Sequence, residues 1–325
     1  MKIALVSSDA LPTPPPAYGG LEAVVGALAS DLVALGHEVT LYALQGSPPG
    51  AYDLVPLREV HELLQPEAEA RLLAHDVIHC HDWWGLGWEL ARRHPDRQIC
   101  ATFHGPQVGP SCAWAPPPPN LRLCGVSHWH AWSMACELGA AVYGVPNGVP
   151  LDDYPVHHGP REPYLLSVNR IDPAKGLDRA IELALHVDMP LRIAGPEWAV
   201  PSAEYVRGIL QRCDGRRLIW EGELALERKR DLMQRAHCVL GLGDWPEPFG
   251  LWAVEANACG TPVVGLDRGA LREVVGGTEG GIVVDDVRDL ADAVRSVGGP
   301  LSCRANAERY SVRAMTKRYL EVYRG

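Results

Sequence analysis

The chain has 325 residues, 47% of them hydrophobic, and a formal net charge of −10. Its length exceeds what one core usually organises, so two domains are expected, and it holds no run of about 18 uncharged apolar residues that would span a membrane. The charge is uneven: residues 1–158 carry 7 Lys+Arg against 16 Asp+Glu, or −9, and residues 159–325 carry 23 against 24, or −1, and so acidic a first half disfavours nucleic acid and anionic lipid.

Residues 2–7 read as a short buried strand that runs straight into polar residues, without the apolar core of a signal peptide, so a cytoplasmic protein is the default expectation. A Pro-rich loop ends in Tyr18-Gly19-Gly20. Residues 21–35 have helical periodicity, Gly36 stops them, and 38–44 read as the next strand. Strands are expected at 76–81, 98–104 and 121–127, and a linker at 155–163. A second alternating set places strands near 164–169, 191–194, 218–221, 238–242, 262–265 and 282–284, and 311–323 read as an amphipathic helix. This order implies two doubly wound α/β domains with parallel sheets, whose ligands bind beyond the carboxyl ends of strands. The nine cysteines form no Cys-x-x-Cys pair and read as reduced thiols.

The sharpest motif is Glu247-Pro248-Phe249-Gly250-Leu251-Trp252-Ala253-Val254-Glu255, which follows an expected strand and opens a helix. Pro248 suits an early helical position. Free N–H groups around Phe249, Gly250 and Leu251, with the helix dipole, make a diphosphate site. Eight residues of helix span at most about 12 Å, the distance from a ribose to a sugar across a diphosphate, so Glu255 suits the ribose and Glu247 the sugar. Taken alone, two solvated glutamates around a helix start are the plainer account. Arg170 and Lys175 follow the strand 164–168, where two cations stabilise a departing diphosphate; a solvated loop is the alternative. Lysine is scarce, with four in the chain, which makes Lys175 more suggestive. Gly19 and Gly20 offer unhindered N–H donors at a helix start, or simply a tight turn.

His104 ends a strand where an imidazole can bond a reacting sugar. His79 and His81, followed by Asp82, raise the thought of metal, but no third ligand stands out, and a structural or acceptor-side role is preferred. No Asp-x-Asp is present to hold a divalent ion on a diphosphate, so no metal and no other cofactor is expected. Trp83, Trp84, Trp88, Trp114, Trp129 and Trp132 cluster in the first half; some are candidates to line an acceptor groove, core packing being the plainer reading of each.

Together these motifs resemble glycosyltransferase family 4 over nearly the whole chain: Tyr18-Gly19-Gly20, the segment Asp76 through Trp83, Val145-Pro146-Asn147-Gly148-Val149, the Arg170-x4-Lys175 pair, and Glu247-x7-Glu255 continued by Ala256-Asn257-Ala258-Cys259-Gly260. Asn169 stands where a glycine is common, and Asn257 where a methionine is. The resemblance implies a GT-B fold: a Rossmann-like acceptor domain over 1–158, a nucleotide-sugar domain over 159–310, a cleft between them, and a helix over 311–325 crossing back to the first. It implies a retaining, metal-independent transfer of a hexosyl group from a nucleotide sugar, UDP-linked by default and GDP-mannose next, to a hydroxyl acceptor. By the same resemblance Arg170 and Lys175 bind diphosphate, Glu255 ribose and Glu247 the donor sugar, His104 lies near the sugar, and Gly195 and Gly222 hold the base through the backbone. The first domain lacks the basic amphipathic helix of membrane-docking relatives, which favours a soluble acceptor. A nucleotide-sugar epimerase or hydrolase of the same fold, and a non-catalytic nucleotide-sugar-binding protein, are the alternatives; the oligomeric state is not legible.

Overall fold

A computed structural model of the chain describes residues 1–81, 85–105, 116–197, 202–276, 280–297 and 300–325. These divide into two compact units, Met1–Val149 with Ser311–Gly325, and Pro150–Tyr310. The boundary falls nine residues before the expected one, because Pro150–Tyr154 is tied into the second unit: Arg304 donates to the carbonyls of Leu151 (3.2 Å), Tyr154 (2.8 Å) and Ala258 (3.0 Å).

The first unit is built on seven strands: β1 (Lys2–Val6), β2 (Glu38–Leu44), β3 (Asp53–Leu57), β4 (Val77–Cys80), β5 (Ile99–Phe103), β6 (Leu121–Gly125) and β7 (Tyr143–Gly144). They pair in the order β3-β2-β1-β4-β5-β6-β7, every pair parallel. Such strands are covered on both faces, so the central ones are continuous apolar runs: β5 is buried at every position. Strands β3 and β7 were not expected. Pro56 argues against a central strand, and β3 is at the sheet edge, where a missing N–H costs nothing; β7 has only two residues. The last helix, Val312–Arg324, is capped by Ser311, buries Met315 and Tyr319 completely, and shares a hydrogen bond between the Tyr319 and Thr102 hydroxyls (3.1 Å) with β5. Arg313 pairs with Asp31 (2.8 Å) on the first helix, Gly20–Ala34.

The second unit repeats the plan with β8 (Leu165–Val168), β9 (Leu191–Ala194), β10 (Leu218–Gly222), β11 (Cys238–Gly241), β12 (Val263–Leu266) and β13 (Gly281–Val284). Their order is β10-β9-β8-β11-β12-β13, again all parallel. Strand order reverses between β8 and β11, where diverging loops leave a crevice at the carboxyl ends. Asn257, 1% exposed, is satisfied: its amide donates to Thr261 O (3.0 Å) and Gly280 O (2.8 Å), and it accepts from Asn306 (2.7 Å). No described helix is long and apolar enough to cross a membrane.

Candidate active site

The crevice between β8 and β11 brings together residues that are 72 apart in sequence. After β8 the chain makes one 3-10 turn, Pro173–Lys175, started by Asp172, whose carboxylate accepts from Ala174 N–H (3.0 Å). Gly176 then takes φ +71° and opens the helix Leu177–His186. A Cβ on Gly176 would strike the Leu242 carbonyl, so glycine lets this turn lie backbone to backbone against the end of β11. Arg179, on the same helix, fixes the loop after β11 by donating to Leu242 O (3.0 Å) and Asp244 (2.6 Å).

Lys175 Nζ consequently lies 5.2 Å from the centre of the Trp245 ring and forms an ion pair with Glu247, both side chains less than one-fifth exposed. Glu247 is held independently of that pair, since its carbonyl accepts from Ala270 N–H (2.8 Å) and its backbone bridges to Gly269. These residues border an open hollow lined also by Asn169, Trp252 and Arg268. Arg268 follows β12, so a cation comes from a third strand end; no motif spacing marked it. Trp252 has a buried indole N–H with no partner among the described residues.

Arg170 lies beside this hollow's lining rather than in it. Its guanidinium faces Asp172 at 3.4 Å, because Asp172 caps the intervening turn. The Glu-x7-Glu segment is also less helical than its sequence implies. The helix is Leu251–Ala258, preceded by Gly250 at φ +91°, so Pro248 precedes the helix instead of occupying its first turn. Gly250 turns the chain in a conformation a side chain resists, and Glu247 sits outside the helix. In the first turn the Ala253 N–H donates to the Gly250 carbonyl (3.0 Å), whereas those of Leu251 and Trp252 have no acceptor four residues back within the helix. Phe249 is 2% exposed and meets Tyr310 edge to face at 5.5 Å, so its side chain is committed to packing and not to a ligand.

Glu255, in the second turn, has an environment the motif did not reveal. Its Oε1 accepts from Tyr154 OH (2.7 Å) and from Lys229 Nζ (2.9 Å), and Lys229 also lies 5.7 Å from the Tyr154 ring centre. Burial first, then the Glu255 charge, holds the Tyr154 phenol well above its ordinary pKa, so it remains a donor. Gly195 (φ +139°), beyond β9, presses against the Asn169 carbonyl and donates to the carbonyl of Gly222 (2.9 Å), which ends β10 at φ +77°. Both glycines thus lie at the carboxyl edge of the same sheet as Lys175.

In the first unit, Gly19 (φ +151°) precedes the first helix, Gly20 is its exposed first residue, and a Cβ on Gly19 would reach 2.8 Å from Pro15 and 3.0 Å from the Glu22 carboxylate. Glu22 is buried and accepts from the Ser8 hydroxyl; burial raises its pKa. His104 follows β5 and shares a 3.0 Å hydrogen bond with His81. His79 and His81, alternating along β4 and its end, face one side with ring centres 4.0 Å apart. His79 is committed to Tyr323 (2.7 Å) and Thr102 (2.7 Å). Burial, with the neighbouring imidazole charge, lowers His79 to about 3 and puts His81 and His104 well below the ordinary value. All three are therefore neutral near pH 7. Among the described residues no group of three or more His, Cys, Asp or Glu is arranged to hold a metal ion. Trp88 is buried in the core, whereas Trp132 is exposed; Asp82, Trp83, Trp84 and Trp114 lie outside the described residues.

Comparison with known proteins agrees with this architecture. The family profile for glycosyltransferase family 4 matches residues 18–153, and that for glycosyl transferases group 1 matches residues 155–311. The chain is 26% identical to a D-inositol 3-phosphate glycosyltransferase of Xylanimonas cellulosilytica over 99% of its own length and 96% of the relative's. It is 29% identical to a GDP-mannose-dependent alpha-(1-6)-phosphatidylinositol monomannoside mannosyltransferase of Mycolicibacterium smegmatis, over 86% of each. Among solved structures it is similar to AviGT4, a glycosyltransferase involved in avilamycin A biosynthesis, with a TM-score of 0.77, 27% identity, and coverage of 100% of this chain and 97% of that one. The chain belongs to glycosyltransferase family 4 and is an enzyme of the GT-B type, with two parallel-sheet α/β domains.

Proposed function

We propose that the enzyme transfers a hexosyl group from a nucleoside-diphosphate sugar to a hydroxyl of a soluble acceptor, with retention of anomeric configuration and without a divalent ion. The observation that carries this is the meeting of Lys175 and Glu247 at the strand-order reversal of the second domain. Lys175, Arg170 and the N–H groups of helix Leu251–Ala258 supply the positive potential that a departing diphosphate needs. Glu247 is the partner for the sugar hydroxyls, Glu255 for the ribose, and the backbones at Gly195 and Gly222 for the base. Gly19 and Gly20 supply N–H donors to phosphate or sugar oxygens. His104, neutral near pH 7, is the hydrogen-bond partner of the reacting sugar.

No side chain in the hollow is set as a covalent nucleophile in this reading. The acceptor hydroxyl attacks from the face the diphosphate leaves, the anomeric C–O bond to phosphate breaks, and the acceptor proton passes to a departing phosphate oxygen. UDP sugars are the first donors to test and GDP-mannose the second, since a relative is named for it.

The test is thermal shift with UDP, GDP and their sugars, with and without EDTA, followed by proton NMR of the product anomer. A ligand at 100 times its Kd stabilises by about 2.7 kcal/mol. A chelator-resistant shift and a retained anomer are expected. Inversion, or a shift abolished by EDTA, refutes the corresponding part of the proposal.

A further inference from the structure

The Glu255 carboxylate does not stand alone. Oε1 already accepts two hydrogen bonds, from Tyr154 OH at 2.7 Å and Lys229 Nζ at 2.9 Å, and among the described residues Oε2 has no recorded partner. An ammonium carries three donors, and Glu255 takes one of them. Tyr154 is buried, whereas the Lys229 side chain is 23% exposed and so accessible to a ligand.

We propose that Tyr154, Lys229 and Glu255 together form the ribose clamp of the nucleotide site. Tyr154 is a positioning residue that pins Oε1, turning Oε2 toward one ribose hydroxyl. Lys229 is a binding residue whose remaining N–H donors meet the oxygen of the neighbouring hydroxyl. This rests on the reading of Glu255 as the ribose partner. The cis-diol is then read by one acceptor and one donor, each charged, and charge-assisted bonds are about twice as strong as neutral ones. The clamp would therefore discriminate strongly against a sugar lacking both hydroxyls.

A structural tie between 150–154 and helix Leu251–Ala258 is not what these contacts are needed for. Arg304 already holds that segment through the carbonyls of Leu151, Tyr154 and Ala258. The Tyr154 ring is buried on its own account, so Tyr154→Phe should keep its packing.

The experiment is calorimetric titration of the full chain with UDP and GDP and with the 2′,3′-dideoxy form of whichever binds. Wild type is compared with Tyr154→Phe, Lys229→Met and Glu255→Gln. Wild type should prefer the ribonucleotide by about 30-fold or more, the loss of two charge-assisted bonds. That preference should shrink about three- to tenfold in Tyr154→Phe and about tenfold or more in Lys229→Met, with dideoxynucleotide affinity unchanged. Equal weakening of both nucleotides would show a merely structural role and overturn the inference. If Glu255→Gln abolishes the preference while both other variants keep it, the ribose reading stands and the clamp falls. If neither UDP nor GDP binds wild type, the donor-site reading falls and the clamp with it. Lys229→Met decides the matter by itself should Tyr154→Phe fail to fold.

Discussion

Replacing Glu247 by glutamine should separate binding from transfer. In the structure this carboxylate occupies Lys175, with the two side chains 18% and 14% exposed. A diphosphate that needs the same ammonium must compete with it. A carboxylate about 6 Å from a phosphate charge, at an effective dielectric of about 20, opposes it by roughly 3 kcal/mol. Salt and water access reduce that to about 1–2 kcal/mol in practice. Glu247→Gln should therefore bind the free nucleoside diphosphate about 5- to 30-fold more tightly. Its kcat/KM should fall by about 100-fold or more, because a charged partner of the transferred sugar is gone. The assay is calorimetric titration at 150 mM salt beside initial rates with the nucleotide sugar. Unchanged or weaker diphosphate binding would refute the idea that Glu247 and the diphosphate contend for one cation.

Two further outcomes follow from packing and titration. Gly176→Ala places a methyl against the Leu242 carbonyl at a φ of +71°; a loss of about 2–4 kcal/mol is expected from strain and displaced backbone, and a urea midpoint equal to wild type would contradict the close approach of β8 and β11. His79 is buried neutral, with its pKa lowered to about 3 by burial and then by the His104 charge. Its folded pKa lies below the unfolded value of about 6.5, so the unfolded chain binds the extra proton and stability falls as pH drops from about 6.5 towards 3. His79→Gln should flatten the urea-derived stability profile over that window, and a profile as steep as wild type would argue against a neutral His79.

Much of the site was legible because parallel α/β sheets place ligands after strands, and the motifs follow strands. Lys175 and Glu247 could be assigned to strand ends from hydrophobic runs alone. Their ion pair could not, since it depends on β8 and β11 being neighbours, which sequence order does not state. Arg268, Tyr154 and Lys229 carried no local signal: each reaches its place through a different loop or helix. The helix start at Leu251 was misplaced by Pro248, whose preference for a first turn was overridden by Gly250 at positive φ. Strand β3 was hidden by Pro56, tolerated only because the strand is an edge.

By itself, then, the chain determined which segments are apolar enough to be central strands, where glycines must bend it, and which charged residues follow strands, because these are local properties of residue type and spacing. The tertiary structure decided which of those charges meet. It tied Glu247 to Lys175, and Tyr154 with Lys229 to Glu255. Such pairings depend on strand order and on backbone approaches of a few ångströms between segments up to 101 residues apart, distances that no one-dimensional pattern encodes.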